Sequence, residues 1–114
     1  MAFSKQATVE GCPVNYAVSP SARKFTFKDV GFTETASGNF QYNRPLEGLV
    51  TDKQGFRLKI TVAEDLKTLK MSITTANGMK SMNIFKGDKF KDQQEKFYFT
   101  LDEMIERGCF EKIE

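Results

Sequence analysis

The side chains able to take part in chemistry in this 114-residue sequence are two cysteines, fifteen carboxylates and seventeen lysines and arginines, with no histidine at all. Without histidine, the commonest general base, metal ligand and pH switch is missing. Ser-His-Asp catalysis, His-ligated zinc and His-based phosphotransfer are therefore excluded. Cys12 lies between Gly11 and Pro13, a sequence that reads as a turn, where a thiol is within reach of solvent. A nucleophilic thiol needs a base, a cation or a helix N-terminus beside it. The nearest charge along the chain is the anion Glu10, so Cys12 reads as an ordinary turn or core residue. Cys109 follows Gly108 at the end of a helical pattern, where the backbone dipole opposes a negative charge. Two thiolates outside any Cys-x-x-Cys pair do not close a zinc site. No disulfide, metal or cofactor is expected.

The carboxylates are scattered. Asp102, Glu103 and Glu106 read as the first turns of a helix that Thr100 caps, where negative charge is favourable, and this explains them better than an acid–base pair does. Lys86-Gly87-Asp88-Lys89 has a single glycine and lacks the spacing of a phosphate-cradling loop.

The basic residues are more informative. In Phe56-Arg57-Leu58-Lys59-Ile60-Thr61-Val62 apolar and polar residues alternate strictly, which predicts a strand with one buried and one wet face. Leu69, Met71 and Ile73 alternate with Lys70, Ser72 and Thr74 in a second strand. Asn77-Gly78 is a hairpin signal, and a third strand is expected over residues 80–85 with Met82 and Ile84 inward. The outward parities gather Arg57, Lys59, Lys70, Ser72, Thr74, Ser81 and Asn83 into one polar, basic surface. Such a face is usually only solvated, but it also suits phosphates or an acidic protein. Nucleic-acid sheets add exposed aromatics for base stacking, and here only Phe85 shares the outer parity. Residues 53–86 hold seven basic and two acidic side chains, a net +5, whereas residues 88–114 hold five and eight, a net −3. Like charges facing each other across strands are mildly destabilising, so their clustering suggests a benefit elsewhere.

These elements belong to one domain, residues 1–114. Phe32 to Ala36 and Asn39 to Asn43 read as a further strand pair joined through Ser37-Gly38, and Val14 to Val18 as an edge strand after Pro13. A short helix is signalled around Thr26 to Val30, with an alternative earlier start at Ser19-Pro20, and a second around Leu101, Met104 and Ile105, starting at the Thr100 cap or, because Phe97 extends its apolar stripe backwards, near Asp92. Both patterns close on a glycine, Gly31 and Gly108, followed directly or one residue later by phenylalanine. Helices segregated to one face of an antiparallel sheet define an α+β sandwich. Most of the eleven phenylalanines should fill the core rather than line a ligand pocket. No apolar run reaches the length of a membrane span and no leader pattern opens the sequence, so the cytoplasm is expected.

Three stretches carry a resemblance: residues 24–32 (KFTFKDVGF), 38–46 (GNFQYNRPL) and 101–108 (LDEMIERG). Through them the sequence resembles a small bacterial family, a domain of unknown function from lactobacilli and their relatives. The resemblance covers essentially the whole chain. It implies a TATA-box-binding-protein-like α+β fold, a curved antiparallel sheet of about five strands with two helices packed on one face. It brings no catalytic residues. It also implies a setting near cysteine desulfurase and tRNA-thiolation enzymes.

Two functions follow as expectations. The first is a non-enzymatic accessory module that binds a protein with an acidic surface. The second is an RNA-binding module using the same face, which strong salt dependence would reveal. A small-ligand binder is a third.

Overall fold

The computed structural model describes residues 3–9, 11–46, 56–75, 83–85 and 91–113. Strand β1 (Asn15–Val18) leads into α1 (Lys24–Asp29), followed by β2 (Thr33–Glu34), β3 (Phe40–Leu46), β4 (Phe56–Val62), β5 (Leu69–Thr75), α2 (Lys91–Glu106) and β6 (Phe110–Ile113). The class is α+β, as the alternation and the helical stripes predict. Where a single sheet of about five strands is expected, the described residues form two antiparallel sheets, four-stranded β2-β3-β4-β5 and two-stranded β1-β6. β1 and β6 join the two ends of the chain, a pairing that no local turn signal announces.

The period-two reading of β4 and β5 fixes which face is buried. Phe56, Leu58, Ile60, Val62, Leu69, Met71 and Ile73 are all buried. They pack in one core with Phe97, Leu101 and Met104 of α2 and with Phe27 of α1. The Phe27 ring lies 5.2 Å from Phe32, 6.0 Å from Phe40 and 5.8 Å from Phe110, so one aromatic joins α1 to both sheets. Fully burying a side chain of this size stabilises by roughly 1.5–3 kcal/mol, which is why phenylalanine carries so much of a core this small. Phenylalanine fills the space between sheet and helices.

Both helices end in the same way, and the repeated glycine pattern has one cause. Gly31 and Gly108 have φ of 109° and 85°. After α1 the Gly31 amide donates to the Lys28 carbonyl and Phe32 to Phe27; after α2 Gly108 donates to Ile105 and Cys109 to Met104. These are two Schellman motifs, which need a residue at positive φ and favour an apolar side chain just beyond it.

Two helix expectations change. α1 starts at Lys24, and the Thr26 hydroxyl accepts the Arg23 amide at 3.2 Å. α2 starts at Lys91, so Thr100 is not its cap. Thr100 is buried mid-helix and its hydroxyl donates to the Lys96 carbonyl at 2.8 Å. The alternative start near Asp92, read from the apolar stripe through Phe97, is the one observed. Of the third meander strand, residues 83–85 are described and form a turn rather than a strand. Ile84 is buried as expected, while Asn77-Gly78, Ser81, Met82 and the loop 86–89 lie outside the described residues. No helix among the described residues is long and apolar enough to cross a membrane.

Candidate binding site on the sheet

The antiparallel register of β3, β4 and β5 assembles the outer face row by row. Gln41, Thr61 and Lys70 form one row, Asn43, Lys59 and Ser72 the next, and Pro45, Arg57 and Thr74 the third. Among the described residues the face thus carries three cations and no carboxylate. Arg57, Lys59 and Asn43 are exposed, whereas Lys70, Ser72, Thr74 and Gln41 are half-buried. Thr61 is only 8% exposed. One reason is the N-terminal segment: Ser4 exchanges both backbone hydrogen bonds with Leu69, at 3.0 and 2.9 Å. Phe3 then lies under Lys70, whose Nζ is 4.9 Å from the ring centroid. Lys70 is held by a cation–π contact, while Arg57 and Lys59 form the open end of the face.

Of the residues expected on this surface, the structure brings Arg57, Lys59, Lys70, Ser72 and Thr74 together. Asn83 does not join them. Its side chain accepts the Phe85 amide at 2.9 Å and packs on Gly11, where any Cβ would come within 2.4 Å of it. Phe85 also leaves the face, since its ring packs edge-on against Phe97 and Tyr98 at 5.8 and 5.6 Å. Sequence reading missed Gln41 and Asn43. The polar parity of β3 is plain in Gln41 and Asn43, but residues 47–55 separate it from β4, too many for a two-residue hairpin signal to set the register.

One electrostatic expectation is overturned. The cations do not oppose one another: Lys59 faces Ser72, Arg57 faces Thr74 and Lys70 faces Thr61. Each positive charge has a neutral hydroxyl as its cross-strand neighbour, so the repulsion inferred from composition is largely avoided. What remains is a face of one sign, with no ion pair at Arg57 or Lys59 among the described residues.

The thiols have structural settings. Both are free. Cys109 is fully buried, its thiol donating toward the Thr26 carbonyl at 3.7 Å, and burial pushes it up to about 11, with Arg107 opposing and Asp29 adding. It stays a thiol and links the end of α2 to α1. Cys12 is half-buried, donates to the Val14 carbonyl at 3.5 Å and lies 3.9 Å from the Tyr98 hydroxyl. Beside it Tyr16 is fully buried with a hydroxyl that has no partner, and burial, then Cys12, Asp102 and Tyr98, raise that phenol above its ordinary range. No group of three or more metal-ligating side chains occurs among the described residues. Among the described residues the polar groups nearest the Cys12 thiol are the Val14 carbonyl and the Tyr98 hydroxyl, and neither is a base that would activate a thiol.

The comparisons agree with this architecture. A family model described as DUF1831, putative amino acid metabolism, matches residues 1–111. The chain is similar to the crystal structure of a DUF1831 family protein from Lactobacillus plantarum, with 34% identity over 99% of each chain and a TM-score of 0.89. No match is found among curated proteins.

Proposed function

The chain belongs to the DUF1831 family, and from that premise we propose that it is a non-enzymatic accessory module that docks on an acidic protein surface through the outer face of β3-β4-β5. One observation carries the reading: three cations, two of them exposed, share a face that has no carboxylate among the described residues. A solvated sheet face needs charge, but not charge of one sign. A one-sign patch steers an oppositely charged partner and speeds encounter. The absence of histidine removes the commonest means of catalysis.

The family's description concerns amino acid metabolism, which favours as partner an enzyme acting on an amino acid. Together with the setting implied above, we infer a sulfur-transfer enzyme of the cysteine desulfurase type, in the cytoplasm of a bacterium. We also read the four-stranded sheet and its helices as kin to the TATA-box-binding-protein-like class. Nucleic acid is the less favoured ligand, because Phe85 packs inward and Phe3, the aromatic at the edge of the face, is engaged by Lys70.

The test is binding of the purified chain to a cysteine desulfurase from the same cell, in the presence of ribonuclease. Wild type is expected to bind, and R57E/K59E to bind at least about tenfold more weakly, the loss expected when rim charges are reversed. Equal binding by both would overturn the sheet-face reading. Binding only to added RNA would replace it with the nucleic-acid reading.

A further inference from the structure

Helix α2 carries its carboxylates where they work against it. Because the helix runs from Lys91 to Glu106, Asp102, Glu103 and Glu106 lie in its last turns, at the negative end of the backbone dipole, and no basic residue occupies the last turn. Asp102 and Glu106 are four residues apart and Glu103 and Glu106 three, both like-charge spacings that disfavour a helix. The explanation by favourable N-terminal electrostatics therefore fails for these three. With Asp92 and Glu95 they stand opposite the buried stripe of Phe97, Thr100, Leu101 and Met104, and all five are exposed. None forms an ion pair among the described residues. At their centre, four residues after Glu95 and three before Asp102, is Phe99, a large apolar side chain 64% exposed. Exposed Lys91 and Lys96 flank these five carboxylates and leave the helix surface with a net charge of −3, concentrated toward its C-terminal end. A face of this kind complements a basic surface with some apolar contact. The chain has such a surface on its other side: the outer face of the sheet, with Arg57, Lys59 and Lys70, the Phe3 ring and, among the described residues, no carboxylate.

We propose that the outward face of α2 docks on the sheet face of a second copy of this chain, with Phe99 as the apolar anchor and Asp102 and Glu103 toward Arg57 and Lys59. The inference rests on reading the sheet face as a docking surface. The inner sides of the sheet and of α2 share one core, so their outer faces point away from each other. The contact is then heterologous, head to tail, and it does not close at two copies. A self-contact of this kind occupies the same cations that a partner protein would, so the two compete.

Sedimentation velocity of the purified chain tests this. At ionic strength of about 20 mM the weight-average mass should climb steadily with concentration, and at about 0.5 M, where charges are screened within a few ångströms, it should stay that of the monomer. R57E/K59E alone and D102K/E103K alone should remain monomeric, each confirmed as folded by circular dichroism. An equimolar mixture of the two restores complementary faces and should associate. F99A should weaken association about tenfold or more, as a central anchor does. K24E/K112E changes exposed cations elsewhere and has the same net charge as R57E/K59E, so it should associate like wild type. A wild type that stays monomeric at low salt, or a mixture that does not associate, overturns the proposal. If either occurs while R57E/K59E still abolishes binding to the desulfurase, the self-contact fails and the sheet-face reading stands. Should R57E/K59E alter neither, both fail.

Discussion

Lys59 on β4 stands directly opposite Ser72 on β5, so an exposed cation of the sheet face has a neutral hydroxyl as its nearest cross-strand neighbour. This pairing allows a one-sign surface to exist at little cost to folding. Placing a lysine at Ser72 should destabilise the domain by roughly 0.2–1 kcal/mol, and S72E should be neutral or slightly stabilising. Denaturant midpoints at low and high salt check this, and the S72K penalty should shrink with salt. Equal midpoints for S72K and S72E at low salt would mean that Lys59 does not sense position 72.

Tyr16 gives a prediction of opposite sign to the usual core substitution. Its hydroxyl is buried without a partner while its ring packs edge-on to Phe97 at 6.1 Å. Y16F keeps the ring and removes the unsatisfied group, so stability should be unchanged or rise by up to about 1 kcal/mol. Y16A should lose about 3 kcal/mol or more, as large-to-small changes in a core do. A clear loss of stability in Y16F would show that the hydroxyl has a bonded partner in solution.

Gly108 tests the cap of α2. Its φ is 85° and nothing lies within 4 Å of an added Cβ, so space is available and only the backbone objects. G108A should cost about 1–2 kcal/mol from left-handed strain alone, read from the thermal midpoint. Gly31 differs, because a Cβ there would also come within 3.3 Å of the Tyr42 ring. G31A should therefore cost more than G108A.

Cys109 sets an alkaline limit. Its thiol rises from 9.0 to about 11 in the folded chain. A raised value means that the folded state holds the proton more tightly, so this contribution is complete below pH 9 and is lost as pH climbs toward 11. The loss is at most roughly 2–3 kcal/mol. Tyr16, also raised, adds a loss that begins near pH 10. C109A should be less stable than wild type at neutral pH, by about 1–2 kcal/mol for a small buried side chain. Its stability should fall less between pH 9 and 11, as urea unfolding at each pH would report.

Where residue type and period acted together, the sequence was readable. Alternation in residues 56–62 and 69–74 located two strands and their buried faces, because a slip of one residue would expose Leu58 and Ile60. Gly31 and Gly108 marked two helix ends because few other residues adopt positive φ. Tertiary context decided the rest. Thr100 reads as a cap from its neighbours, yet Phe97 and Gln93 are buried one and two turns earlier and carry the helix through it. β6 pairs with β1 from the far end of the chain, and no local pattern encodes a partner so distant. Within the site, Arg57, Lys59, Lys70, Ser72 and Thr74 follow from parity alone. The neutral partners of each cation, the Phe3 contact and the addition of Asn43 depend on register between strands, which composition does not contain.

The sheet face is tested most directly by amide spectra of the labelled chain titrated with an oligoglutamate peptide at about 20 mM ionic strength, where long-range attraction is strongest. The largest shifts should fall on Asn43, Arg57, Lys59, Ser72 and Thr74, and they should vanish in R57E/K59E and at about 0.5 M salt. Shifts that gather instead around Arg23, Lys24 and Lys28 at the first helix and its N-cap, or that persist in R57E/K59E, would contradict the sheet-face reading.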